Sequence, residues 1–382
     1  ITAQTAADIE RLEALRARLD TGTLARRWAG RLRRELEAEA TAASTGLEGV
    51  PVTVAEVRRI LAGDRPPGVS DANARLVEGY REAMSYVLRR ADDPGFAWQP
   101  ELILGIHDRV LAGSYAAGAG RFRTGQVFLA LTGEGRQVYE PPPAEAVPAL
   151  ITQLAAFAQK RSCDLPAPVL SALVHVRLAG IHPFADGNGR TARVLASLAM
   201  YRCGYTRAEF TSLEEWWGAH RAAYYAAFEC LGPVWQPAAD VTPFVEEHVR
   251  AQRLQVEALS LREAAERQLW QVLEDIATED LGAPPRIADA LYDAFFGREI
   301  TNRYFRGLAD VSVATATNDL ARLEASGLVR AVGAGRSAAY VGTEALVAAV
   351  AKAAGFGEVP DSSPLDAQRA WLVGALAARV RG

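Results

Sequence analysis

The stretch Ile181-His182-Pro183-Phe184-Ala185-Asp186-Gly187-Asn188-Gly189-Arg190-Thr191-Ala192-Arg193 gathers residues that suit chemistry on a phosphate. The imidazole of His182 has an ordinary pKa of about 6.5, so it can take a proton from a hydroxyl near neutrality. Asp186 offers the carboxylate oxygens that Mg²⁺ prefers, and Mg²⁺ usually travels with phosphates. Gly187 and Gly189 permit a tight loop whose backbone N–H groups converge on an anion. A helix predicted from Asn188 or Gly189 points its N-terminus at the same place. Arg190 and Arg193 are three apart, on one face of that helix, where guanidinium groups can clamp phosphate oxygens. One loop therefore holds a base, a metal ligand and an anion cradle.

Such groups need a rigid frame, and the apolar spacing supplies helices for it. Ile9, Leu12, Leu15 and Leu19 recur among Arg and Glu and predict one or two amphipathic helices over 5–45. Pro66-Pro67-Gly68 marks a loop, with helices predicted over 70–91 and 95–115. From Gly120 to Pro143 the pattern shifts to Gly, Thr and alternating apolar residues, closing on Pro141-Pro142-Pro143, which predicts a short β-hairpin. Helical spacing returns over 144–178 and stops near Gly180. It continues over 191–203, 212–231 and 240–275. Gly282-Ala283-Pro284-Pro285 breaks the chain before a compact section at 286–345, and a last helix is predicted over about 364–380.

The loop resembles the signature of the Fic family, HPFx(D/E)GNGRxxR, at every specified position. A match of that length arises by chance about once in 10¹⁰ windows under equal residue usage. Other segments extend the resemblance over about residues 35–255. Arg121–Leu129 resembles the family's flap, and Tyr139-Glu140-Pro141-Pro142-Pro143 the segment after it. Ser212-Leu213-Glu214 and Tyr224-Tyr225 resemble the helices that close the adenine pocket, and Asp240-Val241-Thr242-Pro243-Phe244 the end of such domains. The fold so implied is mainly α: a Fic helical core with a small β-hairpin flap, followed by a winged-helix domain.

The activity implied is that of a protein adenylyltransferase using ATP and Mg²⁺. On that reading Asp186 holds the metal, and Gly187, Asn188 and Gly189 bind phosphates. Arg190 and Arg193 contact the β- and γ-phosphates. His182 deprotonates a Ser, Thr or Tyr hydroxyl of a target protein, or of the chain itself, which attacks the α-phosphate. Tyr224 and Tyr225 are candidate adenine contacts, with core packing as the alternative. Thr124, Gly125, Gln126 and Val127 form the flap that would hold the target in extended form. His175, where relatives often carry a histidine, reads as a packed helix residue. Gly189 stands where a kinase-like branch carries Lys, which argues for adenylylation.

Ala43-Ser44-Thr45-Gly46-Leu47-Glu48-Gly49 resembles the family's inhibitory motif, (S/T)xxxE(G/N). Ser44 and Glu48 are four apart and share a helix face. The resemblance implies that Glu48 pairs with Arg193 and blocks the γ-phosphate site. Gly46 weakens a helix interior by about 1 kcal/mol relative to Ala, so the inhibitory helix is expected to be loose.

Within 286–345 the pattern is three helices and two short strands flanking Gly333-Ala334-Gly335-Arg336, which resembles a winged helix-turn-helix. Ser312 is the expected N-cap of the third helix. DNA binding through that helix would call for a basic face. The section carries seven Arg and seven acids, net zero, with only Arg322, Arg330 and Arg336 well placed. DNA binding and protein docking or dimerisation both stay open.

Domains are expected at 1–94 (helical, with the inhibitory motif), 95–255 (catalytic core), 256–285 (linker helix), 286–345 (winged helix) and 346–382 (C-terminal helix). The net charge of the 382 residues is −4, which argues against bulk attraction to nucleic acid. No apolar run is long enough to span a membrane, and no secretory signal is recognisable, so a cytoplasmic protein is expected. Cys163, Cys203 and Cys230 are too scattered for a zinc site or disulfide framework. Two other functions fit the same residues. A DNA-binding regulator could sense nucleotide through the loop, and an enzyme could remove AMP using water. The intact His182 favours an enzyme over a sensor.

Overall fold

Prolines, glycines and capping hydroxyls delimit sixteen α-helices and five short strands among the described residues of the computed structural model, which are 1–20, 26–130, 137–162, 164–205, 212–333, 338–357 and 364–381. Contacts divide the chain into two units, 1–257 and 258–382.

The first unit begins with α1 (Ala3–Asp20), α2 (Arg26–Leu47), α3 (Val54–Leu61), α4 (Asp71–Ala91) and α5 (Pro100–Val110). Thr53 caps α3 in a reciprocal box with Glu56, and Ser70 caps α4. Two strands, β1 (Leu129–Ala130) and β2 (Gln137–Tyr139), pair antiparallel. Next come α6 (Val147–Arg161), α7 (Ala167–Ile181), α8 (Asn188–Arg202), α9 (Glu214–Ala219) and α10 (Arg221–Ala227). Then α11 (Thr242–Asp275) contains the boundary between the units.

The core forms around α7, which is mostly apolar and buried along most of its length, as a central helix must be. Leu170, Val174 and Leu178 of α7 pack with Ile103 and Ile106 of α5, Ile151 of α6, and Leu195 and Leu198 of α8. The N-terminal segment joins the same unit: Ala38 of α2 packs with Val57 and Ile60 of α3 and Val77 of α4. Leu47, at the end of α2, packs with Leu213, Trp217 and Tyr224.

Three expectations change. The hairpin predicted over 120–143 is confined to β1 and β2, and residues 131–136 lie outside the described ones. Residues 121–128 do not pair as a strand. Arg123 pulls them onto the signature loop instead, donating its backbone N–H to Pro183 O (2.9 Å) and its side chain to carbonyls of His182, Gly125 and Pro142. The flap residues Thr124, Gly125, Gln126 and Val127 therefore lie outside the strands, with Gln126 Nε2 donating to Pro141 O (2.9 Å). The helix predicted over 144–178 is two helices, because Leu165 precedes a proline and Pro166 has no N–H to continue a ladder. The helix predicted over 212–231 breaks at His220, which leaves helical geometry with φ −122° and ψ 45°.

The second unit contains α12 (Ile287–Phe295), β3 (Ile300–Thr301), α13 (Asn302–Ala309), α14 (Val313–Ala325), β4 (Val329–Val332), β5 (Ala339–Gly342), α15 (Glu344–Ala353) and α16 (Leu365–Arg381). The sheet order is β3-β5-β4, antiparallel throughout. Ser312 caps α14, accepting from Thr315 N at 3.1 Å. Two residues are too few for period-two alternation, which is why β3 was not foreseen. Arg322 Nη2 donates to Leu281 O (2.8 Å) and Gly282 O (3.1 Å), and Asp319 pairs with Arg286. Ser312, Val313, Ala314, Thr317 and Asn318 are exposed on α14 without a charge among them. Arg336 lies outside the described residues. No described helix is long and apolar enough to cross a membrane, and Cys230 is a free thiol, while Cys163 lies outside the described residues.

Gly46 does not interrupt α2, and a Cβ added there meets nothing within 4 Å. Gly46→Ala should stabilise the unit by about 0.5–1 kcal/mol through helix propensity, raising the thermal midpoint by about 1–4 °C. A calorimetric scan checks this, and a lowered midpoint would mean that the glycine serves a local geometry the open space does not reveal.

Candidate active site

The signature loop spans the gap between α7 and α8, and two left-handed residues make it possible. His182 caps α7 at φ 48° and Gly187 caps α8 at φ 77°. Only glycine adopts this geometry freely; a histidine there stores about 1 kcal/mol or more of strain, which its surroundings must offset. Several bonds do so. His182 N donates to Leu178 O (2.9 Å), and Arg123 Nε donates to His182 O (2.8 Å). Phe184, fully buried, anchors the loop, and the Asn188 amide closes it: Phe184 N donates to Asn188 Oδ1 (3.0 Å) and Asn188 Nδ2 to Phe184 O (2.9 Å). The Asn188 side chain, expected on phosphates, is thus occupied by the loop's own backbone.

His107 of α5 is a site residue that sequence reasoning missed. Its ring stacks on Phe184, with centroids 3.6 Å apart and planes 6° off parallel. Gly120 N donates to Nδ1 (3.2 Å), so Nε2 carries the hydrogen and donates to Asp186 O (2.9 Å). Its only signal in the sequence was a polar residue on the buried stripe of α5. Arg123, quoted within the flap, was likewise not credited with holding His182.

His182 Nδ1 lies 3.3 Å from Ala179 O. A carbonyl only accepts, so the hydrogen sits on Nδ1 and Nε2 presents the lone pair of a base. Burial pushes the imidazole down to about 4, against smaller upward pulls from Ala179 O and the carboxylates of Glu48 and Asp186. It is neutral at physiological pH and ready to accept a proton.

Helix geometry leaves the N–H groups of Asn188, Gly189 and Arg190 without intrahelical acceptors, the first ladder bond being Thr191 N to Gly187 O (3.0 Å). Arg190 is buried beside them, 3.5 Å from both Val110 O and Asp186 Oδ1. Asp186 is the exposed carboxylate at the mouth, its Oδ1 also accepting from Gly187 N (2.6 Å). Among the described residues no group of three His, Cys, Asp or Glu side chains could hold a metal. One accessible carboxylate suits Mg²⁺ that arrives on a polyphosphate and keeps several waters.

Arg193 points away from solvent into a shell of oxygens. Nε donates to Ser44 Oγ (3.1 Å), Nη1 to Tyr224 Oη (3.2 Å), and Nη2 to Ser44 O (3.0 Å) and Glu48 Oε1 (2.9 Å). Burial opposes its charge, but Tyr224, Glu48, Glu214 and Tyr80 overcome that and hold the proton more tightly than usual. The Glu48 carboxylate also lies against Gly189: a Cβ at that position would come within 2.4 Å of Oε1. The sequence-level residues Ser44, Glu48, Gly189 and Arg193 are therefore brought together. Tyr224 is buried and hydrogen-bonded to Arg193 and to His175 Nε2 (3.3 Å). Tyr225 is half exposed, and its hydroxyl donates to Leu47 O (3.0 Å) at the end of α2. Both tyrosines are engaged with polar groups of the protein. His175 is a packed helix residue, ringed by Phe228, Phe244 and His248.

A helical core that sets a neutral histidine beside an exposed helix N-terminus is also found in known proteins. Residues 97–200 match the Fic/DOC family. It is 31% identical over 164 residues to the protein adenylyltransferase Fic of Nematostella vectensis, a match covering 42% of this chain and 37% of that protein. It is 31% identical over 182 residues to protein adenylyltransferase fic-1 of Caenorhabditis elegans, covering 44% and 34%. The chain thus spans little more than a third of these curated relatives. A solved Fic family protein from Desulfovibrio desulfuricans has the same fold, with TM-score 0.60, 23% identity, and coverage of 90% of this chain and 97% of that one. Fic-1 of C. elegans gives TM-score 0.55 at 25% identity, over 67% of this chain and 72% of that one.

Three of the five histidines are buried and a fourth, His182, is partly buried, and all four are held neutral: His107 and His182 at about 4, His248 at about 3, and His175 well below its ordinary value, loss of solvent being the leading cause in each. The unfolded chain protonates them near pH 6.5 and the folded chain does not. Their contribution is therefore fully present above pH 6.5 and is lost as pH falls toward 4. Unfolding near pH 5.5 should take up about three to four protons, measurable from the pH dependence of the urea midpoint. A midpoint constant from pH 7 to 5 would show that these imidazoles are charged in the fold.

Proposed function

We propose that this chain is a protein adenylyltransferase that moves AMP from ATP onto a Ser, Thr or Tyr hydroxyl of a target protein, and that its own α2 and Glu48 keep it in a low-activity state. The observation that carries this reading is the neutral His182, its lone pair on Nε2, in the same loop as an anion site that the Glu48 carboxylate now fills.

In the transfer, the target oxygen attacks the α-phosphorus, and its proton passes to His182 Nε2. The bond to pyrophosphate breaks, and pyrophosphate leaves with the electron pair. Arg190, Arg193 and the N–H groups at the start of α8 hold the phosphates in line, which supplies most of the rate in phosphoryl-type chemistry. Asp186 would hold Mg²⁺, which neutralises phosphate charge when bound. The run Thr124–Val127, exposed for most of its length and tied to the loop by Arg123, is the proposed seat of the target segment, recognised through its backbone. Tyr224 serves this reading by steadying Arg193 and Tyr225 by holding the end of α2. A free thiol at Cys230 suits a reducing compartment such as the cytoplasm.

Glu48 opposes the reaction by occupancy. It takes the same Nη2 of Arg193 that a γ-phosphate would need and sits against Gly189, so ATP would bind with its phosphates turned from the line of attack.

ATP labelled on the α-phosphate should mark protein, γ-labelled ATP should not, and His182→Ala should abolish labelling while the thermal midpoint stays near wild type. Transfer of γ-label would overturn adenylylation in favour of phosphotransfer.

Glu48→Gly should raise α-label incorporation by roughly tenfold or more, since alignment is being restored. Arg193→Ala should give no such gain, and the Glu48→Gly, Arg193→Ala double variant should stay slow. Unchanged labelling in Glu48→Gly would remove Glu48 from the regulation.

A further inference from the structure

A guanidinium only donates, so a hydroxyl paired with it must send its own hydrogen elsewhere. The Tyr224 hydroxyl accepts from Arg193 Nη1 at 3.2 Å. Among the described residues its hydrogen has one acceptor within reach, His175 Nε2 at 3.3 Å. His175 therefore presents a lone pair on Nε2 and carries its hydrogen on Nδ1. The opposite tautomer would leave the Tyr224 hydrogen without an acceptor. Both side chains are buried, His175 being 1% and Tyr224 4% exposed, and there such a loss is costly. His175 Nδ1 makes no hydrogen bond among the described residues, so Tyr224 alone decides the tautomer. The result is a one-directional chain from Arg193 on α8, through Tyr224 on α10, to His175 on α7.

We infer that His175 is a positioning residue for Arg193: through the Tyr224 hydroxyl it keeps the guanidinium aimed at the phosphate site once Ser44 and Glu48 have withdrawn. The inference rests on the repressed-transferase reading above. Of the four hydrogen bonds that the Arg193 side chain makes among the described residues, three go to Ser44 and Glu48. A γ-phosphate that replaces Glu48 finds Arg193 with those contacts gone, and the bond to Tyr224 is the one that remains. A tyrosine whose hydrogen is committed to His175 can offer the guanidinium only lone pairs, so it holds Nη1 in one direction. The acceptor is itself fixed, because the His175 ring is wedged among Phe228, Phe244 and His248, with centroids 5.8, 5.4 and 5.5 Å away. None of this frame belongs to α2, so it survives the departure of that helix. A histidine that merely packs would need its ring but not its lone pair, and that difference separates the two roles.

The test sets His175→Leu against His175→Gln in the full chain, each combined with Glu48→Gly so that Arg193 is free of the carboxylate. Gln places an amide oxygen near the position of Nε2 and keeps an acceptor, whereas Leu removes it; both lose the aromatic contacts. Affinities are measured with Mg²⁺ for the non-cleavable α,β-methylene analogues of ATP and ADP, because only the first carries the phosphate assigned to Arg193. Glu48→Gly alone should favour the ATP analogue. His175→Leu should cut that preference by about fivefold, the worth of one hydrogen bond, with affinity for the ADP analogue unchanged. His175→Gln should restore most of it. Tyr224→Phe should lose as much as His175→Leu, and the two together no more, because they act through one chain; Tyr224→Phe carries the test if His175→Leu does not fold. Equal preferences in His175→Leu and His175→Gln would overturn the positioning role, as would full additivity with Tyr224→Phe. A second readout needs no nucleotide. The imidazole nitrogen resonances of His175 in the wild type, assigned by their loss in His175→Gln, should show the hydrogen on Nδ1 and a bare Nε2, and a hydrogen on Nε2 would overturn the chain. If Glu48→Gly yields no protein labelled from α-labelled ATP, the transferase reading fails, while the imidazole resonances and the analogue preference still decide the role of His175.

Discussion

A guanidinium buried as deeply as Arg193 must be surrounded by oxygen, and this one requirement organises the site. Removing solvent from a charge is expensive, and only close partners in good geometry offset it. The protein supplies them from three elements: Ser44 and Glu48 at the end of α2, Tyr224 from α10, and the more distant field of Glu214. When α2 is in place, all three guanidinium nitrogens are used. A phosphate that seeks Arg193 must therefore replace an existing carboxylate rather than fill a vacancy. On the proposed function, repression and substrate binding would compete for one cation, and the outcome would depend on the difference between two anions, not on the strength of either alone.

The catalytic loop depends on a second set of contacts, in which side chains grip backbone. Asn188 holds Phe184, Arg123 holds the carbonyl of His182, and His107 holds the carbonyl of Asp186. These bonds keep His182 and Gly187 in left-handed geometry. Several residues of the signature thus serve shape before chemistry. With the loop shaped by the protein's own bonds, little reorganisation is left for the substrate to drive, which is the condition under which electrostatic alignment is most effective.

Much of the site was legible because its chemistry is local. The signature lies within one loop, and the Ser44–Glu48 motif lies on one helical turn, so sequence spacing and family resemblance led to their meeting at Arg193. What was hidden depends on long-range bonds from side chain to backbone or from side chain to side chain. Nothing in the spacing of α5 distinguishes His107 from an ordinary polar residue, and nothing near His175 signals a hydroxyl from residue 224. The hairpin was overextended for the same reason: alternation over 120–128 is real, but Arg123 ties that backbone to the loop before it can pair. The split at Pro166 was readable, since proline both blocks the preceding residue from helix and lacks a donor. The continuous apolar pattern outweighed it. On α14 the exposed residues 312–314, 317 and 318 are uncharged and Arg322 is bound to nearby carbonyls, which leaves DNA and protein docking both open.

Gly189 shows how a single small residue links these two layers. The N-terminus of α8 attracts anions of any kind, phosphate or carboxylate. A side chain at 189 would fill the space in which Glu48 rests, with even a methyl group reaching to 2.4 Å of its oxygen. The glycine that lets an anion approach the helix backbone therefore also lets the protein's own carboxylate approach it. A sequence that opens this cradle for phosphate cannot close it to Glu48 by sterics at that position. On the proposed function, discrimination between the two would come from how firmly α2 is held, in its packing against α4 and α9, rather than from the loop itself.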